Sequence, residues 1–145
     1  MSNTGGGSGT AWYLLDTSRA VKPFIFQSRL PLELTAKDRP DDDNVFDRDE
    51  YRYGTRRRDN AGYGLWQLAY GSKQTLDATN YAAVRAAMMA YKDEAGDPLD
   101  VVPTLLVVPP SLESAGRALV VAETLPEGGA NPWYNTAQLL VSPWV

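Results

Sequence analysis

Val101-Val102-Pro103-Thr104-Leu105-Leu106-Val107-Val108-Pro109-Pro110-Ser111-Leu112 is the stretch on which the fold turns. The apolar run up to Val108 shows no alternation, the pattern of a strand covered on both faces. Pro109 and Pro110 end it, because proline offers no N–H to a sheet but is accepted in the first turn of a helix. Leu112, Ala115, Leu119 and Ala122 then recur on one side, so a helix is expected through about Val121. Upstream, Tyr81, Val84, Met88 and Tyr91 keep three- and four-residue spacing. With Asp77 or Thr79 as cap and Gly96 beyond the end, they predict a helix over 79–93. Downstream, 127–132 reads as a loop and 137–142 as a closing strand before Pro143-Trp144-Val145.

The first half has a different character. Residues 1–10, rich in Gly, Ser and Thr, read as a flexible linker or tail. Residues 11–15 and 23–27 are short apolar runs divided by Asp16-Thr17-Ser18-Arg19, which predicts a hairpin or two sheet strands. Residues 34–50, with their run of aspartates, read as an exposed loop. Asp59-Asn60-Ala61-Gly62 reads as the turn of a second hairpin, with Trp66 and Leu68 on one face of its second arm. Strands mixed with two helices predict an α+β fold, a mixed or antiparallel sheet covered by helices, in a single domain over 11–145.

Composition removes several functions. The 145 residues contain no cysteine and no histidine, which excludes disulfides, thiolate chemistry, His-based triads and the usual zinc sites. No cofactor is expected. A net charge of -4 gives no general field for nucleic acid, and no apolar run is long enough to span a bilayer. Neither a specific nucleic acid nor a membrane is an expected partner.

The remaining candidates are surface features. Asp41-Asp42-Asp43-Asn44 lacks the alternating acids, central glycine and final glutamate of a calcium loop, so it reads as a solvated acidic segment. Arg56, Arg57 and Arg58 alternate in direction on a strand and cannot form one patch, which favours ion pairs within the sheet or with a neighbouring subunit over DNA contact. Gly5-Gly6-Gly7-Ser8-Gly9 is not followed by Lys-Ser/Thr and is no phosphate loop. The aromatics Trp12, Tyr13, Trp66, Trp133, Tyr134 and Trp144 mix with Leu and Val, so core burial is expected for most. Trp133 and Tyr134, set in a Gly/Asn/Pro loop, are the pair expected to be exposed or interfacial.

Residues 76–145 resemble the central part of Mu-like prophage major head proteins. The resemblance rests on an ordered set: Lys92-Asp93, Gly96-Asp97-Pro98-Leu99, the corner from Pro103 to Pro110, and Asn131-Pro132. Residues 11–72 resemble the same family, but the stretch that closes its chain. The reversed order leads to the expectation of a circular permutant, joined near Gly71–Thr75 and opened between Val145 and Ala11.

The resemblance implies an axial-type capsid domain whose parent self-assembles into an icosahedral shell in the virion, made in a bacterial host. It implies copies of itself and other head proteins as partners, and no active site. Nothing in the chain resembles the family's N-terminal arm, extended loop or spine helix. Inter-subunit contacts are expected at Asp42, Asp43, Arg56, Arg57, Arg58, Trp133 and Tyr134. The competing readings are a carbohydrate- or protein-binding module using a row of exposed aromatics, and a hydrolase with two facing carboxylates.

Overall fold

A computed structural model describes residues 3–145, and divides the chain into two units. The first unit runs up to Pro23 and resumes over Tyr63–Val145; the second is Phe24–Gly62. Within the span 11–145 expected as one domain, residues 24–62 pair with themselves and make up the second unit.

The first unit is a five-stranded mixed sheet with two helices. Its strands are β1 (Thr4–Gly7), β2 (Trp12–Leu15), β5 (Ala69–Lys73), β6 (Leu105–Val108) and β7 (Gln138–Val141), in the order β1-β5-β2-β6-β7. β1 runs parallel to β5, β2 is antiparallel to both β5 and β6, and β7 is parallel to β6. The helices are α2 (Ala78–Met89) and α3 (Glu113–Val120), the latter entered through a 3-10 turn at Pro110–Leu112. Asp77 caps α2 by accepting from the Asn80 N–H at 2.7 Å, as its position predicts.

Register builds the core. Leu14 pairs with Tyr70 and Leu106, and Leu106 with Leu139, so these side chains stand on one face of the sheet. They join Trp12, Val108, Tyr81, Val84, Met88, Leu119 and Val120 in one cluster. The expected central strand and both helices are thus present. Trp12 is buried as expected, its indole N–H donating to the Gln74 carbonyl at 2.8 Å. Asp16 is buried in the loop after β2, where it accepts from the Ser18 N–H and Oγ and from the Val102 N–H.

Of the hairpin or two sheet strands expected from residues 11–15 and 23–27, the second alternative holds: β2 pairs with β5 and β6, and Phe24 opens a strand of the second unit. Three local expectations fail. Within the described part of the expected tail, Thr4–Gly7 is a strand rather than a linker. Its glycines serve close approach: a Cβ at Gly5 would lie 2.7 Å from Ser72 Oγ. Asp59-Asn60-Ala61-Gly62 is no turn but the end of β4 (Arg52–Tyr63), where pairing with β3 (Phe24–Lys37) overrides turn propensity. The reversal falls instead at 38–51. There α1 (Asp43–Arg48), in place of the plain loop expected over 34–50, ends at Asp49 with φ 53°.

Candidate assembly surface

The second unit is a two-stranded ribbon of β3 and β4, about 40 Å long at ~3.3 Å per residue. Along β3, Phe24, Phe26, Ser28, Leu30, Leu32, Leu34 and Ala36 fall on one face by period two. Ile25, Gln27, Arg29, Glu33, Thr35 and Lys37 fall on the other. Two contacts fix how β4 joins these faces. Arg56 pairs with Glu33 at 2.7 Å, which puts Arg52, Arg56 and Arg58 on the polar face. Arg57 lies over the Phe26 ring at 5.8 Å, which puts Tyr53, Arg57 and Tyr63 on the apolar one.

That apolar face is open within the ribbon. Phe26 is 65% exposed, Leu32 67% and Leu34 71%. An isolated two-stranded ribbon is marginal in water, and an aliphatic and aromatic face of this length is what natural surfaces avoid unless something covers it. Leucines interleave with the aromatics, so the surface suits a packed protein element better than a sugar ring. Sequence reasoning missed these residues. The signal was the alternation from Phe24 through Ala36, which was cut short by reading 34–50 as loop.

The residues singled out from the sequence are distributed over both units. In the ribbon, Arg56 is engaged by Glu33 and Arg57 by Asp59, while Arg58 shares the polar face with Arg56. Asp42 caps the reversal, accepting from the Arg39 N–H at 3.1 Å, and Asp43 opens α1. Asn44 ties this tip together by donating to the carbonyls of Lys37 and Glu50. Among the described residues no three acidic groups converge to hold a metal ion.

In the first unit, the segment after α3 is a short looped arm. Thr124 bridges Ala130, and Gly128 and Gly129 take φ of 84° and 109° at its tip. Asn131 is buried at its base and donates to the carbonyls of Ala118, Leu119 and Ala122, satisfying the otherwise orphaned end of α3. The pair Trp133 and Tyr134 separates. Trp133 packs edge-on against Tyr81 at 5.4 Å and belongs to the core margin, which corrects its expected exposure. Tyr134 is exposed and donates to Glu123 at 3.0 Å; that hydrogen bond and the carboxylate charge raise its phenol pKa above the ordinary value. Trp66, half exposed, meets Tyr91 edge-on at 5.5 Å, and Trp144 is almost fully exposed, so burial does not hold for every aromatic.

A family model described as the Mu-like prophage major head subunit gpT matches residues 1–145. The major capsid protein of Escherichia phage Mu is 40% identical over 141 residues, covering 95% of this chain and 46% of that protein. The Mu-like prophage FluMu major head subunit of Haemophilus influenzae is 40% identical over 130 residues, covering 88% of this chain and 41% of the relative. Among solved structures, the procapsid of bacteriophage JBD30 superposes with a TM-score of 0.80 at 43% identity, over 100% of this chain and 48% of that one. The JBD30 capsid, at 24% identity and a TM-score of 0.79 over 95% of this chain and 50% of its own, shares the fold. The chain spans about half the length of the relatives it matches.

Proposed function

Because this chain belongs to the Mu-like prophage major head subunit gpT family, we propose that it is a structural, non-catalytic part of a bacteriophage head subunit, residing in the virion. Its work is packing against other parts of the head: copies of the same subunit and other head proteins. The observation that carries this is the ribbon, whose face carrying Phe26, Leu32 and Leu34 stays open within its unit. A surface of that kind gains stability once covered, by about 25 cal/mol for each Å² of apolar area removed from water. The looped arm from Glu123 to Tyr134 is the second contact in the proposal, meeting its copies around a rotation axis. Asp42 and Asp43 at the ribbon tip and Arg58 on its polar face set register through charge.

The segment order expected from the sequence is corrected by the relatives: the phage Mu protein matches this chain in one run of 141 residues, 95% of this chain, so the stretch 11–72 precedes 76–145 in the family as it does here. The two far ends of the sheet segments nevertheless lie close together. Tyr13 and Leu140 both pair with Val107, so the start of β2 and the end of β7 flank one strand at about 10 Å, within reach of a short loop.

The test is to place aspartate at Leu32 in this chain and at the equivalent position of the phage Mu major capsid protein. The isolated chain should keep its circular dichroism and melting temperature, while the full subunit should stop forming heads in electron micrographs. Normal heads in normal yield would reject the ribbon as an assembly surface.

A further inference from the structure

β7 ends the sheet with one side open. Its Gln138 N–H donates to Thr104 at 2.8 Å, and the Ser142 N–H just beyond it donates to Val108 at 2.9 Å. In a parallel ladder alternate residues bond the same neighbour. Gln138 and Leu140 therefore turn their backbone groups toward β6, and Leu139 and Val141 turn theirs to the open edge.

Sheets usually blunt such an edge with charge, proline or a bulge. The opposite edge does so: β1 is Gly-rich, and its register with β5 shifts between Thr4 and Gly7. β7 reads Gln-Leu-Leu-Val with none of these devices, and Leu140 is 48% exposed. Beside the strand, on the α3 side, a groove of about 360 Å³ lined by Val120, Val121, Leu139 and Val141, with Arg117 and Tyr134 also on its wall, leaves space for incoming side chains.

We propose that this edge pairs with the same edge of a second copy, antiparallel across a two-fold axis, joining two five-stranded sheets into one of ten. The occupant follows from the register. With Leu140 on the axis, Leu139 of each copy stands opposite Val141 of the other, and both outward residues exchange N–H···O bonds, four in all. Leu140 then meets Leu140 as a non-hydrogen-bonded pair, about 4.5 Å between Cα atoms, which covers the exposed leucine. No charge opposes a like charge, and the contact closes on itself. A four-residue seam is small, so the dimer is weak, with association measurable by about 0.5 mM. This inference does not depend on the head-subunit reading.

The chain contains no cysteine, which makes the test direct. Leu140→Cys should give a disulfide-linked dimer under mild oxidation, since the axial spacing falls within disulfide reach, whereas Leu125→Cys on the exposed arm should not. Val141→Pro removes an outward N–H from each copy without touching the bonds to β6. It should weaken association about tenfold or more in sedimentation equilibrium while leaving circular dichroism unchanged. Leu140→Lys, which sets like charges across the axis, serves if the proline variant unfolds. A wild-type chain monomeric at about 0.5 mM, or equal cross-linking through both cysteines, would overturn the proposal.

Discussion

Leu106 and Leu32 both sit in apolar strand patterns, and their truncations separate the two units by energy. Leu106 is 0% exposed, with Leu14 and Leu139 as its cross-strand neighbours and the helices over it. Leu106→Ala removes buried carbons and leaves a cavity that rigid neighbouring strands cannot close, which costs about 2–5 kcal/mol. For a unit of this size that corresponds to a fall of roughly 10–20 °C in melting temperature. Leu32 shields only a third of its surface, so Leu32→Ala should cost less than about 1 kcal/mol, a third of the ~1.5–3 kcal/mol of full burial. Urea denaturation followed by far-ultraviolet circular dichroism gives both values, with unchanged slopes showing that the same surface unfolds. A Leu32→Ala loss equal to that of Leu106→Ala would mean the ribbon face is already packed in the isolated chain, and the argument for its exposure would fail.

Asn131→Ala should destabilise by about 2–3 kcal/mol in the same assay, because three helix-end carbonyls lose a buried donor at once. Tyr134 should titrate above the ordinary tyrosine value in ultraviolet difference spectra, and Glu123→Gln should bring it back toward 10. The contribution of that hydrogen bond is present below the unfolded pKa and is lost as pH rises through the folded one, so it disappears only in strong alkali. Deleting residues 1–8 should lower stability by about 1–3 kcal/mol, since it removes β1 and the carbonyls of Asn3 and Gly5 that serve Gly71 and Gln74; no change would make β1 a passive tail. A reordered chain, 76–145 followed by 1–72, should fold with a melting temperature within about 5 °C of the parent, because β2 and β7 already flank β6; an unfolded product would refute the closeness of those two strand ends.

Read alone, the sequence determined those elements whose signal is local and whose environment is uniform. The Leu105–Val108 strand, the proline corner, the Asp77-capped helix and the closing strand each carry a pattern that packing only reinforces, so α+β and the buried core were legible. The ordered motifs from Lys92 to Pro132 were enough to point to the head-protein family. Tertiary structure decided what depends on distant partners. Gly5 is a strand residue because Ser72 lies close by, Asn60 extends a strand because β3 runs beside it, and Trp133 joins the core because Tyr81 offers an edge. The candidate surface, too, came from tertiary pairing: period two sorts Phe26 and Leu32 onto one face, but only the pairing of β3 with β4 as a two-stranded sheet of their own leaves that face open within its unit. Propensity acts over a few residues, whereas burial is a property of whatever the chain brings alongside.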